Sequence, residues 1–565
     1  MSPIALILIL LAIILVVIAA IALIRTLNYA QQPDEITPLT LPKIDGEDVA
    51  RRIGLAVQLH TISNPDPEKI DPQPFEDLRD LLRTLYQRVE LQLSKELVNK
   101  HALLFTWLGS DPTLEPVAFT AHQDVVPAED GENSTWSYPP FGGQLAEGAV
   151  WGRGTLDCKG TLIALLEAVE TLLKAGFQPE RTVYLAFGHD EEVGGVSGAK
   201  AIAGLLASRG VHLSFLLDEG GSVTSGLVPG VESPVGLIAI GEKGHMSLKL
   251  HAQADGGHAS TPPAQTAIGA LSLAIATLES NPFPQDLDLV QFMMSFLGDA
   301  VPFSQRLMLA NPWLFGGQLK RRFAASPASN ALTRTTVAPT MIKAGSAANV
   351  LPAEAEAIVN VRVLNGESLA GAFRTINDLV GDEVITVSPA FGDSLADPHH
   401  AEPSPLSEVD APQYRALEAL VRASFPGAGV APVILNGATD AAFYAPLCEH
   451  VYRFSPYFLT REETESVHGV DEHLSFSNAA RMVGFYQVLI QQISLKDQLP
   501  AGLEEPAHEG QEEERAPRGN AEIREEQAGR GDLPLPPGEA PEEAPELLPE
   551  ELDQPLKVRK MSKGR

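Results

Sequence analysis

An unbroken apolar run near the N-terminus places the strongest constraint on what this chain can fold into. Residues 4–24 contain no charged residue, no glycine and no proline. A helix of about 20 apolar residues spans the hydrocarbon core of a bilayer. We therefore expect residues 1–25 to form a transmembrane helix or the core of a signal segment, with a buried globular helix as the third reading. The flanking charges are nearly balanced and do not predict the orientation.

The rest of the chain divides into a spacer, a folded body and an acidic end. Residues 26–47 are polar and proline-rich, which is typical of a spacer. Residues 495–565 are expected to form a disordered tail, because Pro, Glu and Gly dominate and too few apolar residues are present to offset the entropy of ordering. The basic tip of this tail leaves open a second reading, in which it docks on a partner or on a membrane surface.

Composition narrows the classes of function for the body. Hydrophobic residues make up 44 % of the chain, enough for a large core. The net charge of −32 argues against nucleic acid as a partner, because phosphate recognition needs Lys and Arg. The two cysteines cannot form a disulfide framework or a cysteine-rich zinc site.

Strand-like and helix-like segments alternate through the body. Apolar runs at 117–121, 182–187 and 213–217 are predicted strands, and residues 160–175 and 199–209 are predicted helices. The alternation predicts an α/β fold with helices on both faces of a sheet. In such folds ligands bind at the carboxyl ends of the strands.

Short polar segments, each weak by itself, bring His, Asp and Glu to that edge. They are His-Gln-Asp at 122–124, Gly-Thr-Leu-Asp-Cys-Lys-Gly at 154–160, Asp-Glu-Glu-Val-Gly-Gly at 190–195, Asp-Glu-Gly at 218–220 and His-Gly-Val-Asp-Glu at 468–472. Imidazole and carboxylate ligands without thiolate favour zinc in a catalytic site. Three carboxylates and two neutral histidines carry −3, which one Zn²⁺ reduces to −1 and two Zn²⁺ convert to +1, neutral once a hydroxide binds. The set therefore predicts two Zn²⁺ per chain, and ions about 3.5–4 Å apart would allow one carboxylate to bridge them.

Two adjacent acids, Glu191 and Glu192, suggest a division of labour. Neighbouring side chains on extended backbone point to opposite sides, so one can bind metal while the other faces the reacting water. That second carboxylate can take a proton from water and pass it to the leaving nitrogen. Asp124, two residues beyond His122, can accept the second ring N–H of that histidine and fix its tautomer. The alternative for Glu191 and Glu192 is a solvated acidic pair, and the alternative for Asp124 is an ordinary loop position.

Together the five segments resemble the motif set of the aminoacylase and carboxypeptidase family of two-zinc metallopeptidases, over about residues 48–492. Within that family the chain is most similar to the branch of vacuolar carboxypeptidase S and the N-fatty-acyl-amino-acid synthase/hydrolases. The resemblance implies a catalytic domain with a central mixed sheet flanked by helices. The roles that it implies are a bridge between the zincs for Asp157, one zinc site for His122 and Asp218, the other for Glu192 and His468, and general base and acid for Glu191.

The resemblance also implies a second domain. Members of the family insert a small α/β lid with a ferredoxin-like arrangement, which is predicted here at 241–397. The catalytic domain would then consist of residues 48–240 and 398–494. The lid often provides dimer contacts, so the resemblance implies a homodimer as a partner state.

Four further residues match substrate-binding positions of the family. His258 would help to polarise the scissile carbonyl, and in dimeric members this histidine comes from the lid of the second copy. Asn349 and Arg362 would hold the substrate carboxylate, for which a planar guanidinium is well suited. Gly437 lies in a segment that resembles the substrate loop of the family, although Ala438 stands where glycine is usual.

One further segment has several possible roles, and one cysteine is rejected as a catalytic residue. The segment 281–337 is rich in Phe, Met and Trp, and would form the core of an enlarged lid, a wall for a long acyl chain or a surface facing the membrane. Cys158, beside Asp157, is not expected to be a nucleophile, because an acidic ligand cluster disfavours its thiolate.

The sequence thus predicts a zinc-dependent hydrolase of an amide bond next to a C-terminal or N-acylated amino acid, able to catalyse the reverse condensation. The expected partners are a small-molecule or peptide substrate with a free carboxylate and, through an uncleaved N-terminal helix, a membrane. The catalytic domain is expected outside the cytosol, either anchored or secreted. The alternative is a membrane-tethered binding module of the same fold without turnover.

Overall fold

The computed structural model describes residues 2–30, 39–131, 134–397 and 399–496. Residues 497–565 of the predicted tail and residues 31–38 of the predicted spacer lie outside this part of the chain. In chain order the helices of the described part are α1 (Pro3–Leu27), α2 (Gly46–Val57), α3 (Pro72–Leu85), α4 (Gln87–Gln92), α5 (Lys159–Lys174), α6 (Ala199–Ser208), α7 (Ala267–Ser280), α8 (Asp288–Ser295), α9 (Phe303–Ala310), α10 (Pro312–Phe323), α11 (Pro327–Ala331), α12 (Leu369–Val380), α13 (Pro412–Ser424), α14 (Arg461–Ser466) and α15 (Phe476–Ser494).

The strands follow the same order. They are β1 (Ser94–Val98), β2 (Ala102–Trp107), β3 (Val117–His122), β4 (Gln144–Ala146), β5 (Ala149–Trp151), β6 (Val183–Gly188), β7 (Phe215–Asp218), β8 (Val223–Thr224), β9 (Val235–Glu242), β10 (Gly244–Gln253), β11 (Gly257–His258), β12 (Thr336–Ala344), β13 (Val350–Leu351), β14 (Glu354–Val363), β15 (Ile385–Pro389), β16 (Gly429–Leu435), β17 (Val451–Arg453), β18 (Phe458–Leu459) and β19 (His473–Ser475).

A large mixed sheet forms the centre of the molecule. Nine of its strands run in the order β1-β2-β6-β3-β7-β17-β9-β8-β18, and β16 pairs with β9. The central strands β6, β3, β7 and β17 are parallel to one another, whereas the pairs β1-β2, β2-β6, β17-β9 and β8-β9 are antiparallel. Every residue of β3 is buried, as expected for a parallel strand covered on both faces. The predicted α/β class with a central mixed sheet is confirmed.

Helices cover both faces of this sheet. Helices α2, α5, α13 and α15 contribute to one apolar core, and α6 contributes to another that includes the residues following β16. Helix α5 is buried along most of its length because its apolar residues recur on nearly all sides, which is typical of a helix enclosed between a sheet and other helices. The two cores hold the carboxyl ends of β3, β6 and β7 in fixed relation.

A second, smaller sheet is antiparallel and has the strand order β12-β14-β10-β15. Buried residues alternate with accessible ones along β10 and β14, so one face packs on α7 and α12. The chain order is strand, helix, strand, strand, helix, strand, which is the ferredoxin-like arrangement. The domain boundaries at 240 and 397 remain a prediction.

The N-terminal apolar run forms a single helix, α1, of 25 residues, which is long and apolar enough to cross a membrane. Serine at position 2 caps its first turn by accepting a hydrogen bond from Ala5 N at 3.2 Å. Its most apolar stretch is exposed, so the reading as a buried globular helix is wrong. Signal sequences near an N-terminus can have the same length and apolar composition, so the helix is compatible with an anchor or with a signal segment.

Four short helices, α8 to α11, lie between α7 and β12, where a minimal ferredoxin-like arrangement needs only one connection. Met294, Leu297, Leu319 and Phe323 bury their side chains in an apolar cluster that also includes residues of β9 and β16. Trp313 and Leu314 are instead about half exposed. This part of segment 281–337 is therefore a packed helical insert with an apolar outer surface.

Candidate metal centre

Three adjacent parallel strands end at the same edge of the large sheet. Strand β3 ends at His122 and β7 at Asp218, while β6 leads into a short 3₁₀ turn at Glu191–Val193. In a parallel pair the carboxyl ends lie side by side, so these residues converge although up to 96 positions separate them. The structure thus brings these residues together at one edge of the sheet, as the sequence predicts.

Asp157 occupies the middle of the cluster. One of its carboxylate oxygens, Oδ1, lies 2.8 Å from His122 Nε2, and the other, Oδ2, lies 2.9 Å from His468 Nε2. Although burial alone would raise the pKa of Asp157, the hydrogen bonds from the two imidazoles hold it below its ordinary value. One carboxylate thus faces two imidazoles, which is the arrangement required of a group that bridges two cations.

Glu192 completes the group on the side of His468. Its Oε2 lies 3.1 Å from His468 Nε2, and its buried Oε1 has no hydrogen-bond partner within the described ranges. Hydrogen bonds to Asp157 and then to Glu192 raise the pKa of His468 to about 10. A buried carboxylate oxygen without a partner is costly unless a cation satisfies it.

These residues fit a metal ion by geometry as well as by chemistry. Ligand atoms of His122, Asp157 and Glu192 all lie within 4.8 Å of one another. A second group with the same spacing consists of His122, Cys158 and Glu219. The two groups share a histidine and are rich in carboxylate oxygens, as expected of catalytic rather than structural zinc.

At the end of β7 the acid closest to His122 is Glu219, whereas the sequence predicts Asp218 as the metal ligand. Asp218, the predicted ligand, is buried and accepts a hydrogen bond from Ala441 N at 2.8 Å. Its neighbour Glu219 places Oε1 3.0 Å from His122 Nε2 instead. Burial raises the pKa of Glu219 to about 7, even though His122 acts to lower it. Sequence reasoning missed Glu219, and the only available signal was that two acids stand side by side at a strand end.

Asp124 organises this edge by more than one contact. His122 Nδ1 lies 2.9 Å from the backbone oxygen of Asp124 and 3.3 Å from its carboxylate. The same carboxylate accepts hydrogen bonds from the backbone N–H groups of Glu191 and Glu192 at 3.2 and 3.1 Å, and from the hydroxyl of Ser63 at 2.6 Å. Asp124 therefore orients the imidazole and also fixes the turn that carries the two glutamates.

Glu191 lies at the start of this turn, partly buried and close to the cluster. Burial raises the pKa of Glu191 well above its ordinary value, with His122 acting in the opposite direction and the carboxylates around it adding to the rise. A carboxylate that holds a proton more tightly than usual is suited to receive one and give it back. The turn ends in Gly195, whose left-handed backbone (φ +64°) packs so tightly on Asp440 that a Cβ there would collide with that carboxylate.

A buried ion pair joins the two segments that supply Asp157 and His468. Arg153 donates to Glu472 over 2.6 Å and to the backbone oxygen of Gly469 over 2.9 Å. The other oxygen of Glu472 accepts from three backbone N–H groups of residues 154–157, at 2.8 to 3.2 Å. Sequence reasoning quoted Glu472 within its motif but gave it no role. The sequence did not predict the pairing of Arg153 with Glu472, because the two residues are 319 positions apart.

The predicted substrate residues of the lid lie apart from this cluster: His258 is on β11, which pairs with β13 in a two-stranded sheet of its own, Asn349 directly precedes β13, and Arg362 is on β14 of the second sheet. Exposed His258 places Nδ1 2.7 Å from Ser260 Oγ, and the backbone of Asn349 accepts from Ala259 N at 3.1 Å. Arg362 donates from Nε to Asn360 Oδ1 at 3.2 Å. Among the described residues, the hydrogen bonds and ion pairs do not link any of these side chains to the carboxylates around His122.

Gly437 lies exposed in the loop after β16. Two residues later, Thr439 donates from its hydroxyl to Glu242 at 2.7 Å, and Ala441 donates to Asp218, so this loop does border the cluster. Cys158 is fully buried, and burial raises the pKa of its thiol well above the ordinary value. A protonated, enclosed thiol agrees with its exclusion as a nucleophile.

An imidazole and carboxylate cluster at the carboxyl edge of a mixed α/β sheet defines a metal-dependent hydrolase of the peptidase class. The family model of "Peptidase family M20/M25/M40" matches residues 118–492. The chain belongs to the M20 family of metallopeptidases. Enzymes of this family depend on metal, typically zinc.

Named relatives cover most of the chain. It is 34 % identical over 462 residues to "Probable carboxypeptidase S-like 2" of Dictyostelium discoideum, covering 81 % of this chain and 87 % of the relative. It is 39 % identical over 407 residues to human "N-fatty-acyl-amino acid synthase/hydrolase PM20D1", covering 71 % of this chain and 78 % of the relative. The predicted branch of the family is therefore confirmed.

Solved structures share the fold at low identity. An M20 family metallo-carboxypeptidase from Sulfolobus solfataricus matches with a TM-score of 0.57 at 14 % identity, covering 79 % of this chain and 99 % of that one. Human carnosine dipeptidase 1 matches with a TM-score of 0.56 at 15 % identity, covering 80 % and 96 %. These likenesses support the fold and carry no information on substrate.

Proposed function

We propose that the chain is a two-zinc hydrolase that cleaves the amide bond beside a C-terminal residue of a peptide or between an acyl group and an amino acid. The observation that carries the proposal is the position of Asp157, whose two oxygens lie within 3 Å of the imidazoles of His122 and His468. The names of the relatives, which include carboxypeptidases and a synthase/hydrolase of N-fatty-acyl amino acids, support the same reaction class. They do not favour a binding module without turnover.

The charge of the cluster supports two zinc ions rather than one. His122, Asp157, Glu192 and His468 would hold them, with Asp218 or Glu219 as the fifth ligand. Three carboxylates around two neutral histidines carry −3. One Zn²⁺ leaves a net charge of −1, and a second Zn²⁺ is needed to offset the remaining negative charge. When bound, the zinc ions polarise the substrate carbonyl and lower the pKa of the attacking water.

Glu191 is the residue assigned to proton transfer. Its raised pKa, caused by burial, lets it accept the proton of the attacking water. The same proton then passes to the leaving nitrogen, which departs as a neutral amine. Asp124 supports this step as a positioning residue, because its carboxylate binds the backbone N–H of Glu191 at 3.2 Å and sets the direction of the turn.

Recognition of the substrate is assigned to residues of the predicted lid and to the loop after β16. Arg362 and Asn349 would bind a free carboxylate, and Gly437 would border the acyl or peptide side. His258 would stabilise the developing oxyanion, reaching the cluster of a second copy in a homodimer. Its exposed position, without a contact to the cluster of its own chain, supports a role between two chains.

A retained N-terminal anchor with the catalytic domain outside the cytosol is the proposed location. The last turns of α1 do not stand free of the body, because Asn311 Nδ2 donates to the backbone oxygen of Ala22 at 3.1 Å. Arg25 Nε donates to the backbone oxygen of Ala310 at 3.0 Å, and Ala22 and Thr26 are buried. Cleavage of a signal segment would remove these contacts, so they support retention.

A substrate screen with metal analysis tests the proposal. N-acyl amino acids and dipeptides are incubated with the purified chain, with and without chelator, and products are followed by mass spectrometry. We expect the release of a free amino acid, its loss with chelator, its recovery with zinc and about two zinc ions per chain. Turnover that survives chelation would contradict the mechanism, and one zinc ion per active chain would contradict the two-metal assignment. A Glu191→Gln preparation controls for a contaminating peptidase.

A further inference from the structure

The segment from α9 to β13, which comprises the second part of the helical insert and the strands that follow it, has an unusual charge for this chain. The whole protein holds 73 acidic residues, yet none occurs in the 54 positions between Asp299 and Glu354. The same 54 positions hold six cations: Arg306, Lys320, Arg321, Arg322, Arg334 and Lys343. In a chain with a net charge of −32, such a segment is the place where an anionic surface would be attracted rather than repelled.

Helix α10 presents these cations together with exposed apolar side chains. Trp313 is 51 % exposed and Leu314 is 43 % exposed, at the start of the helix. Lys320 and Arg321, which follow each of them by seven residues, share their faces of the helix and lie about 10 Å further along the axis. The opposite side of α10 is occupied, because Leu319 and Phe323 are buried in the core of the insert.

The same end of α10 is joined to the apolar N-terminal helix. Asn311, directly before α10, donates to the backbone oxygen of Ala22 at 3.1 Å, and its Oδ1 accepts from the indole N–H of Trp313 at 3.2 Å. Ala22 belongs to the last turn of the apolar run at 4–24. Trp313 therefore lies at the level where the hydrocarbon-spanning length of α1 ends, which is where indole rings concentrate in membrane proteins.

We propose that the exposed face of α10 rests on the anionic surface of the bilayer that holds α1, with Trp313 and Leu314 at the level of the acyl boundary and Lys320, Arg321 and Arg322 on lipid headgroups. The inference rests on the proposed retention of α1. The anchor and this second contact, which are linked through Asn311, hold the catalytic body in one orientation towards the membrane. A single-pass helix by itself would leave the body free to tilt relative to the membrane plane.

Lipid contact by one tryptophan can be measured in the intact chain. The protein contains four tryptophans, at positions 107, 136, 151 and 313, and α1 contains none. The full chain is reconstituted into vesicles of phosphatidylcholine and phosphatidylglycerol in which the acyl chains are brominated near the headgroup. We expect bromine to quench part of the fluorescence, and Trp313→Phe to remove most of that quenching. Trp136→Phe, the matched control on the catalytic body, is expected to leave the quenching unchanged.

The cations are tested in the same vesicles. Changing Lys320, Arg321 and Arg322 together to Gln is expected to reduce the quenching in anionic vesicles to the level seen with phosphatidylcholine alone. A matched triple variant of exposed cations on the catalytic body, Arg51→Gln, Arg83→Gln and Lys174→Gln, is expected to behave like the wild type.

Several outcomes would overturn the inference. They are equal quenching in the wild type and the Trp313→Phe variant, an anionic-lipid dependence that survives the triple change, or quenching that appears only after deletion of residues 499–565. That deletion removes a net charge of −8, and its requirement would mean that the acidic tail covers the face in the intact chain. Release of the chain by alkaline carbonate would overturn both the anchor and this contact. Because the readout needs no turnover, loss of the hydrolase assignment would leave it standing.

Discussion

The candidate metal centre and the predicted substrate residues present their polar side chains in opposite ways. At the carboxyl edge of the large sheet, each of His122, Asp157, Glu192 and His468 lies within about 3 Å of another member of the group, and the first three are mostly enclosed while the side chain of His468 is half exposed. Away from this edge, His258 and Asn349 are exposed at the separate β11-β13 pair, and Arg362, on β14 of the second sheet, donates to Asn360 of the same strand. The first set is preorganised for chemistry, whereas within the described part of the chain no hydrogen bond or ion pair links the second set to it. The following changes test that contrast, from the largest expected effect to the smallest.

The largest effect is expected from Asp157→Asn, because the amide cannot serve as an anionic bridge between the two imidazoles. We expect loss of bound zinc and no measurable turnover. Elemental analysis measures the zinc content, and the mass-spectrometric assay measures turnover. Asp382→Asn, at a turn of the second sheet, is the matched control and should retain both. Full zinc content in the Asp157 variant would show that this carboxylate does not hold the metal.

Glu191→Gln should separate chemistry from metal binding. The isosteric amide cannot accept a proton, so kcat is expected to fall by about 10²- to 10⁴-fold while zinc content stays unchanged. Glu465→Gln, an exposed acid on α14, provides the control and should leave kcat unaltered. A parallel loss of zinc and activity would place Glu191 among the metal ligands instead.

Glu472→Gln should weaken the fold at the same edge. It leaves the buried Arg153 guanidinium without its anionic partner, which typically costs about 3–5 kcal/mol. Urea titration in detergent, followed by circular dichroism, measures the loss. Adding Arg153→Met should recover part of it, because the unpaired charge is removed. Glu465→Gln is again the control, expected within about 0.5 kcal/mol of wild type. Equal stability of all the variants would remove Glu472 from the account of how the edge is held.

Arg362→Met should act on substrate binding with a smaller effect. Loss of a charge-assisted hydrogen bond typically costs about 1.5–3 kcal/mol, so kcat/KM is expected to fall by about 10- to 150-fold. The deficit should vanish for substrates whose carboxylate is blocked as an amide, which the wild type also turns over poorly. Arg334→Met, on the loop before β12, is the comparison variant. If the Arg362 variant discriminates between acid and amide as well as the wild type does, the carboxylate is bound elsewhere.

The smallest predicted effect is the dependence of zinc affinity on pH. Without metal, His468 has its pKa raised to about 10 by Asp157 and Glu192, so it carries a proton that zinc must displace. Zinc affinity should therefore rise by at least tenfold per pH unit between about pH 6 and pH 8, because the carboxylates around His122 raise its pKa too despite its burial, and binding should release protons. Calorimetry in buffers of different ionisation enthalpy measures both quantities. His258→Gln should keep the slope, and an affinity that does not change with pH would contradict a protonated His468.

The elements around the large sheet were predictable because their signals are local. The apolar runs at 117–121 and 182–187 became β3 and β6, shifted by at most one residue, and the carboxyl-edge rule then placed His122 and Glu191 together. The contact between His468 and Asp157 was not predictable from spacing, because about 300 positions separate the two residues. Glu219 was missed because the choice between two adjacent acids depends on side-chain direction, which a sequence does not specify.

The insert shows the same limit in another form. Met294 and Trp313 belong to one apolar segment in the sequence, yet one is buried against the large sheet and the other is half exposed. Their separation depends on the rotation of short helices, whose positions are set by packing partners as distant as Ala22. Propensity and composition carry no information on such long-range choices.

The distance along the chain between Asp157 and the Arg153-bound segment of residues 468–472 has a consequence for biosynthesis. A ribosome that has completed the first four-fifths of this polypeptide has released His122, Asp157 and Glu192 but has not yet made His468 or Glu472. A nascent chain therefore lacks both a proposed zinc ligand and the ion pair that holds the segment of Asp157 until residues 468–472 have been made. The metal centre that we propose cannot assemble before that point in translation.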